Sequence, residues 1–106
     1  MSALKLKILT PDGQKLRYSC DSAVLWMAPD EKGKGEGSIG IRSGHAESII
    51  ALGNGPLEGR LQGKVLISGK TEGGFAAVLN DKVTVVTPKF TIEYTDKDAD
   101  GKGYGN

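Results

Sequence analysis

The sequence is poor in the residue types on which most site chemistry rests. It has one cysteine, Cys20, and one histidine, His45, among 106 residues. A lone cysteine excludes an internal disulfide and fits a reducing compartment. Cys20 reads as a small side chain in or near a strand, because no partner marks it as a nucleophile. One histidine without a cysteine cluster makes a poor metal set, and no H-E-x-x-H or G-x-S-x-G stretch accompanies it. Neither sign of charge dominates: 14 Lys and Arg face 13 Asp and Glu, for a formal net charge of +1. No basic run stands apart from its acidic neighbours, so composition offers no argument for nucleic acid. No apolar run approaches the roughly 18–20 residues that span a bilayer. The opening "MSALKLKILT" lacks a continuous apolar core and a small-residue cleavage site, so no signal peptide is read. Work at a membrane would therefore depend on another subunit.

What is present is a period of two. In "LKLKILT", Leu4, Leu6 and Ile8 alternate with Lys5 and Lys7. Pro11-Asp12-Gly13 reads as a turn and "QKLRY" as the return strand. "DSAVLWMAP" sets Ala23, Leu25 and Met27 on one side and Val24 and Trp26 on the other. With both faces apolar, it belongs at a central or interface position. "DEKGKGEG" is a polar, glycine-rich loop, "SIGIR" is a short strand, and "HAESIIAL" is an irregular turn into another. "GNGP" reads as a break, "LEGRLQGKVLIS" as strand with a bend at Gly63, and "GKTEGG" as a further turn. "FAAVL" and "KVTVVT" flank Asn80-Asp81 as a hairpin, and "KFTIEYT" puts Phe90, Ile92 and Tyr94 on one face. No segment sustains a 3.6-residue period. The expectation is an all-β fold, a single small β-sandwich or barrel of about eight to ten short strands over residues 1–95, followed by a polar, disordered tail over 96–106.

Three patterns invite a functional reading. His45 sits in "EGSIGIRSGHAES", flanked by small residues, and reads as a structural or interface histidine. Ser68-Gly69-Lys70-Thr71 resembles the end of a phosphate loop, but the motif needs a glycine where Lys64 stands and a helix that does not follow. Asp96, Asp98, Asp100 and Gly101 match the opening of a calcium loop, but the chain ends before the twelfth-position glutamate and no helix flanks it. Alternating Asp and Lys in a solvated tail is the favoured reading, and no cofactor is expected.

Four stretches together resemble the N-terminal β-sandwich of the epsilon subunit of F-type ATP synthases. They are "LKILTPDGQKL", the "DSAVL" strand, "EGSIGIRSGHA" against the family's E-G-x-(L/F)-G-(I/V)-x-P-G-H-A, and "GGFAAVLNDKVTVV". The resemblance covers about Leu4 to Val86. It implies a non-catalytic rotor component of the central stalk, bound to the gamma subunit and seated on the ring of c subunits, peripheral to the cytoplasmic face of the inner membrane through its partners. Carried over by match, Glu36, Gly37, Gly40, Gly44, His45 and Ala46 shape the contact surface, which also includes Ser38 and Arg42 at positions that depart from the pattern, with Val24 and Trp26 offering an apolar face. Ser38 stands where many members carry an acid toward the ring, and Ser43 replaces the usual proline, which is expected to loosen that turn. The family's C-terminal helical hairpin is expected to be missing. The alternative is a free-standing β-sandwich binding module that has kept the fold without the synthase role, with a calcium-binding tail.

Overall fold

A computed structural model describes residues 4–96. These form ten strands: β1 (Leu4–Leu9), β2 (Lys15–Cys20), β3 (Ser22–Met27), β4 (Gly37–Arg42), β5 (Ser48–Ala51), β6 (Asn54–Leu61), β7 (Lys64–Glu72), β8 (Phe75–Leu79), β9 (Lys82–Val86) and β10 (Phe90–Thr95). They make two five-stranded sheets, ordered β2-β1-β9-β8-β5 and β10-β7-β6-β3-β4. Neighbours pair antiparallel except β1 and β9, which run parallel from Lys5–Lys82 to Leu9–Val86. The all-β sandwich expected from the alternation is the fold observed.

The sheets face each other through their apolar rows. Leu4, Leu6, Ile8, Tyr18, Cys20, Val83 and Val85 from the first sheet meet Ala23, Leu25, Ile41, Leu57 and Ile67 from the second, all buried. Each buried Leu, Ile or Val among them contributes about 1.5–3 kcal/mol through its removal from water. Tyr18 is fully buried, and its hydroxyl bonds the Thr95 hydroxyl of β10, which joins the two sheets across the core. The interior place expected for "AVLWM" is observed, since β3 lies between β6 and β4.

Three local readings are corrected. "GNGP" is not a break: β6 begins at Asn54 and pairs with β7 through Pro56–Lys70. The strand tolerates proline there because β3 pairs with β6 only as far as Val24–Glu58, leaving no partner that needs a donor from position 56. "GKTEGG" turns only at Gly73-Gly74, as β7 continues to Glu72. Phe90 and Ile92 keep to one face, opposite Thr71 and Gly69, but a bulge between Ile92 and Tyr94 turns Tyr94 to the other face, opposite Ser68. Phe90 is buried while Ile92 and Tyr94 are exposed.

Because every strand crosses the sandwich, the connections gather at two ends. One end holds Asp21, the Ser43–Glu47 loop, the Gln62-Gly63 turn and Asn80-Asp81. The other holds the Pro11–Gly13 turn, the Ala28–Glu36 loop and Gly73-Gly74.

Candidate partner interface

The stretch from Glu36 to Ala46 is not one loop. It is the edge strand β4 with a connection at each end. At about 3.3 Å per residue, its six positions hold Gly37 and Arg42 roughly 16 Å apart. Ile39 and Ile41 point inward, while Ser38, Gly40 and Arg42 are exposed on the outer face. The register sets them beside β3: Ser38 opposite Trp26, Gly40 opposite Val24, and Arg42 opposite Ser22. The structure therefore brings Val24, Trp26, Ser38, Gly40 and Arg42 onto one surface. Gly44, His45 and Ala46 lie at the opposite end of the sandwich from Glu36 and Gly37.

Trp26 is held from two sides. Its Nε1–H donates to Glu36 Oε2 at 3.1 Å. Its ring lies over the β6 backbone at Gly55, where an added Cβ would come within 2.3 Å of Cγ. Trp26 and Glu36 thus fasten the long Ala28–Glu36 loop to the sheet. Within that loop Asp30 Oδ1 accepts from the amides of Lys32 and Lys34, at 2.8 and 2.9 Å, which folds the "DEKGKG" run into a compact turn.

The other end is held by Asp81. Its Oδ1 accepts from the Gly44 amide at 2.8 Å and its Oδ2 from the Ser43 hydroxyl at 3.1 Å. Asn80 and Asp81 have φ of 52° and 61°, the values a tight hairpin turn of the primed type needs. Gly44 has φ of 87°. Ser43 therefore does not leave the turn loose, as its loss of proline suggested. Its hydroxyl supplies a tether that proline has no group to make. His45 Nδ1 lies 2.9 Å from the Ala46 carbonyl and donates to it, which fixes the ring at the mouth of the loop.

Asp96 is committed elsewhere. Its amide donates to the Leu66 carbonyl at 2.8 Å and its carboxylate pairs with Lys64 at 2.7 Å. It continues the sheet's hydrogen bonding rather than opening a free loop. Asp98 and Asp100 lie outside the described residues. Cys20 is buried in the core, and burial pushes its thiol up to about 12. Among the described residues, no group of three or more His, Cys, Asp or Glu side chains is placed to hold a metal. No helix among them is long and apolar enough to cross a membrane.

Sequence reasoning missed two things. One is Asp81 as the anchor of the Ser43-Gly44 turn. The other is the outer face of the first sheet, where Ile49, Phe75 and Leu79 are 79%, 45% and 49% exposed. The signal was available in "FAAVL", which is apolar on both faces just as "AVLWM" is.

The fold defines a small two-sheet β-sandwich whose connections are grouped at its two ends. The model of the ATP synthase delta/epsilon chain β-sandwich domain matches residues 3–92, and the chain belongs to that family. It is 33% identical over 97 residues to an ATP synthase epsilon chain of Ruminiclostridium cellulolyticum, covering 92% of this chain and 65% of that one. It is 35% identical over 86 residues to the epsilon chain of a Synechococcus species, covering 78% and 55%. The chain thus spans little more than half to two-thirds of the length of these relatives. A subunit in the central stalk and c-ring structure of the Tetrahymena thermophila mitochondrial ATP synthase shares the fold, with a TM-score of 0.62 at 17% identity over 91% of this chain and 69% of that one.

Proposed function

We propose that the chain is an epsilon-type, non-catalytic subunit of the central stalk of an F-type ATP synthase. In this role it binds the gamma subunit, sits on the c-ring, and helps couple ion translocation to ATP synthesis. It is peripheral to the cytoplasmic face of the membrane, held there by its partners. The observation that carries the reading is the "EGSIGIRSGHA" match together with its structure. The matched residues form one edge strand fastened at both ends, by Trp26–Glu36 and by Asp81. A torque-transmitting contact needs such a rigid edge. Ser38, Gly40 and Arg42, with Val24 beside them, offer the outer surface of that edge, and Gly44, His45 and Ala46 the end loop. Trp26 and Glu36 support it from within the chain.

Sedimentation velocity of the chain co-expressed with the gamma subunit tests this. A stable one-to-one complex is expected. Two species sedimenting independently would reject the reading, and would favour a free-standing binding module.

A further inference from the structure

The two sheets have four edge strands, β2 and β5 in the first, β10 and β4 in the second. A sheet edge is kept from pairing with another chain by charges, by shortness or by a bulge. β2 carries Lys15 and Arg17, β5 is four residues long, and β10 is bent by the bulge between Ile92 and Tyr94. β4 has none of these along its middle. It runs six residues in regular register without proline or lysine, and its one charge, Arg42, stands at the last position.

The backbone of β4 is oriented to accept a further strand. The Trp26 carbonyl accepts from the Gly53 amide and the Ala28 amide donates to the Ala51 carbonyl, so these groups face away from β4. Backbone polar groups alternate in direction along a strand. Leu25 and Met27 therefore face β4 and bond to Ile39 and Gly37. The amides and carbonyls of Ser38 and Gly40 are left at the open edge. The Arg42 amide lies there too, while its carbonyl accepts from His45. Gly40 clears the middle of this edge, since nothing lies within 4 Å of where a Cβ would stand.

We propose that β4 pairs antiparallel with β4 of a second copy of this chain, about a two-fold axis at Ile39, which joins the two second sheets into one. In this register the strand is complementary to itself. Ser38 and Gly40 of one copy exchange hydrogen bonds with Gly40 and Ser38 of the other. Ile39, only partly buried in the single chain, meets its own symmetry mate. Arg42 comes opposite Glu36 of the second copy, on the outer face where Glu36 is held by Trp26. With the axis at Gly40 instead, Arg42 would face Ser38 and the charge pair would be lost. A net charge of +1 gives little repulsion between copies. The pairing involves no synthase subunit and stands or falls apart from the central-stalk reading. It is a state of the unassembled chain, because it covers Ser38, Gly40 and Arg42, which that reading gives to a partner.

Sedimentation velocity of the purified full chain tests this, at loadings from about 10 µM to 1 mM, because a single strand pair buries little surface. A monomer–dimer equilibrium is expected. Gly40→Pro is expected to abolish it, since the ring removes an outward amide and spares the bonds between β3 and β4. Circular dichroism confirms each variant's fold. Arg42→Glu and, separately, Glu36→Arg set like charges across the axis, and each is expected to weaken the homodimer more than about tenfold. Mixed in equal amounts, these two variants are expected to recover a dimer, because every cross-axis pair is then of opposite sign. A wild type that stays monomeric throughout overturns the proposal; if Gly40→Pro then also weakens binding to purified gamma subunit, the edge takes a partner's strand instead. A dimer that Gly40→Pro and both charge reversals leave intact is seated elsewhere and overturns it as well. Charge variants whose mixture stays monomeric overturn this register.

Discussion

The indole N–H of Trp26 and the Glu36 carboxylate meet at 3.1 Å, joining the last turn of the Ala28–Glu36 loop to the end of β3. The two residues are ten positions apart, and both lie in the region that carries the family likeness. The contact explains how a long glycine-rich loop can precede a well-placed edge strand.

Glu36→Ala is expected to cost only about 0.5–1 kcal/mol, since it removes one exposed hydrogen bond. Gly55→Ala is expected to cost about 1–3 kcal/mol, because its methyl group would enter the indole ring. Urea denaturation followed by the fluorescence of the single tryptophan checks both. The reverse order of costs would show that the ring is held by the carboxylate rather than by packing.

The Asp81 clamp predicts a coupled pair. Asp81→Gly keeps a residue suited to positive φ but removes both acceptors, and is expected to destabilise by about 1–2 kcal/mol. Ser43→Ala is expected to cost less. In the double variant the costs should fall short of additive, because Ser43 has lost its acceptor already. Full additivity in denaturation experiments would mean that the two side chains do not act together.

Much of this fold was legible because alternation survives where one face is buried. Leu4, Leu6 and Ile8 are core and Lys5 and Lys7 are not, as the pattern "LKLKIL" requires. Asn80-Asp81 is a hairpin because only residues tolerant of positive φ fit there. The β10 bulge was not legible, since it leaves no residue signature. Pro56 looked like a break because its tolerance depends on β3 diverging, a long-range fact. The strand β4 was legible in "SIGIR", but the motif around it could not show that Glu36 and His45 lie at opposite ends of the sandwich.

Cys20 gives a chemical prediction. The folded thiol is held up to about 12 against an ordinary 9.0, chiefly by burial. Above pH 9.0 the unfolded chain loses this proton while the folded chain keeps it, so this group lowers stability as pH rises from about 9.0 toward 12. At pH 8 the native protein is expected to resist a disulfide-exchange reagent that reacts promptly once denaturant is added. Prompt reaction of the native protein would contradict the placement of Cys20 in the core.

Gly40 and Gly44 separate two roles for glycine within the matched stretch. Gly44 has φ of 87°, and Gly44→Ala is expected to cost about 1–2 kcal/mol through that backbone conformation. Gly40 has no positive φ, and an added Cβ meets nothing within 4 Å. Gly40→Ala is therefore expected to leave the isolated chain as stable, or to stabilise it by about 0.5 kcal/mol. If Gly40→Ala nonetheless weakens complex formation, its openness serves a partner's close approach; unchanged binding would remove Gly40 from the contact.

The most direct test of the central-stalk assignment is isolation of the tagged chain from detergent-solubilised membranes of its source cell, with mass spectrometry of what accompanies it. Recovery of gamma with the catalytic and c subunits, in fixed proportion, is the expected result. Recovery of the tagged chain alone, or with proteins unrelated to the synthase, would contradict it.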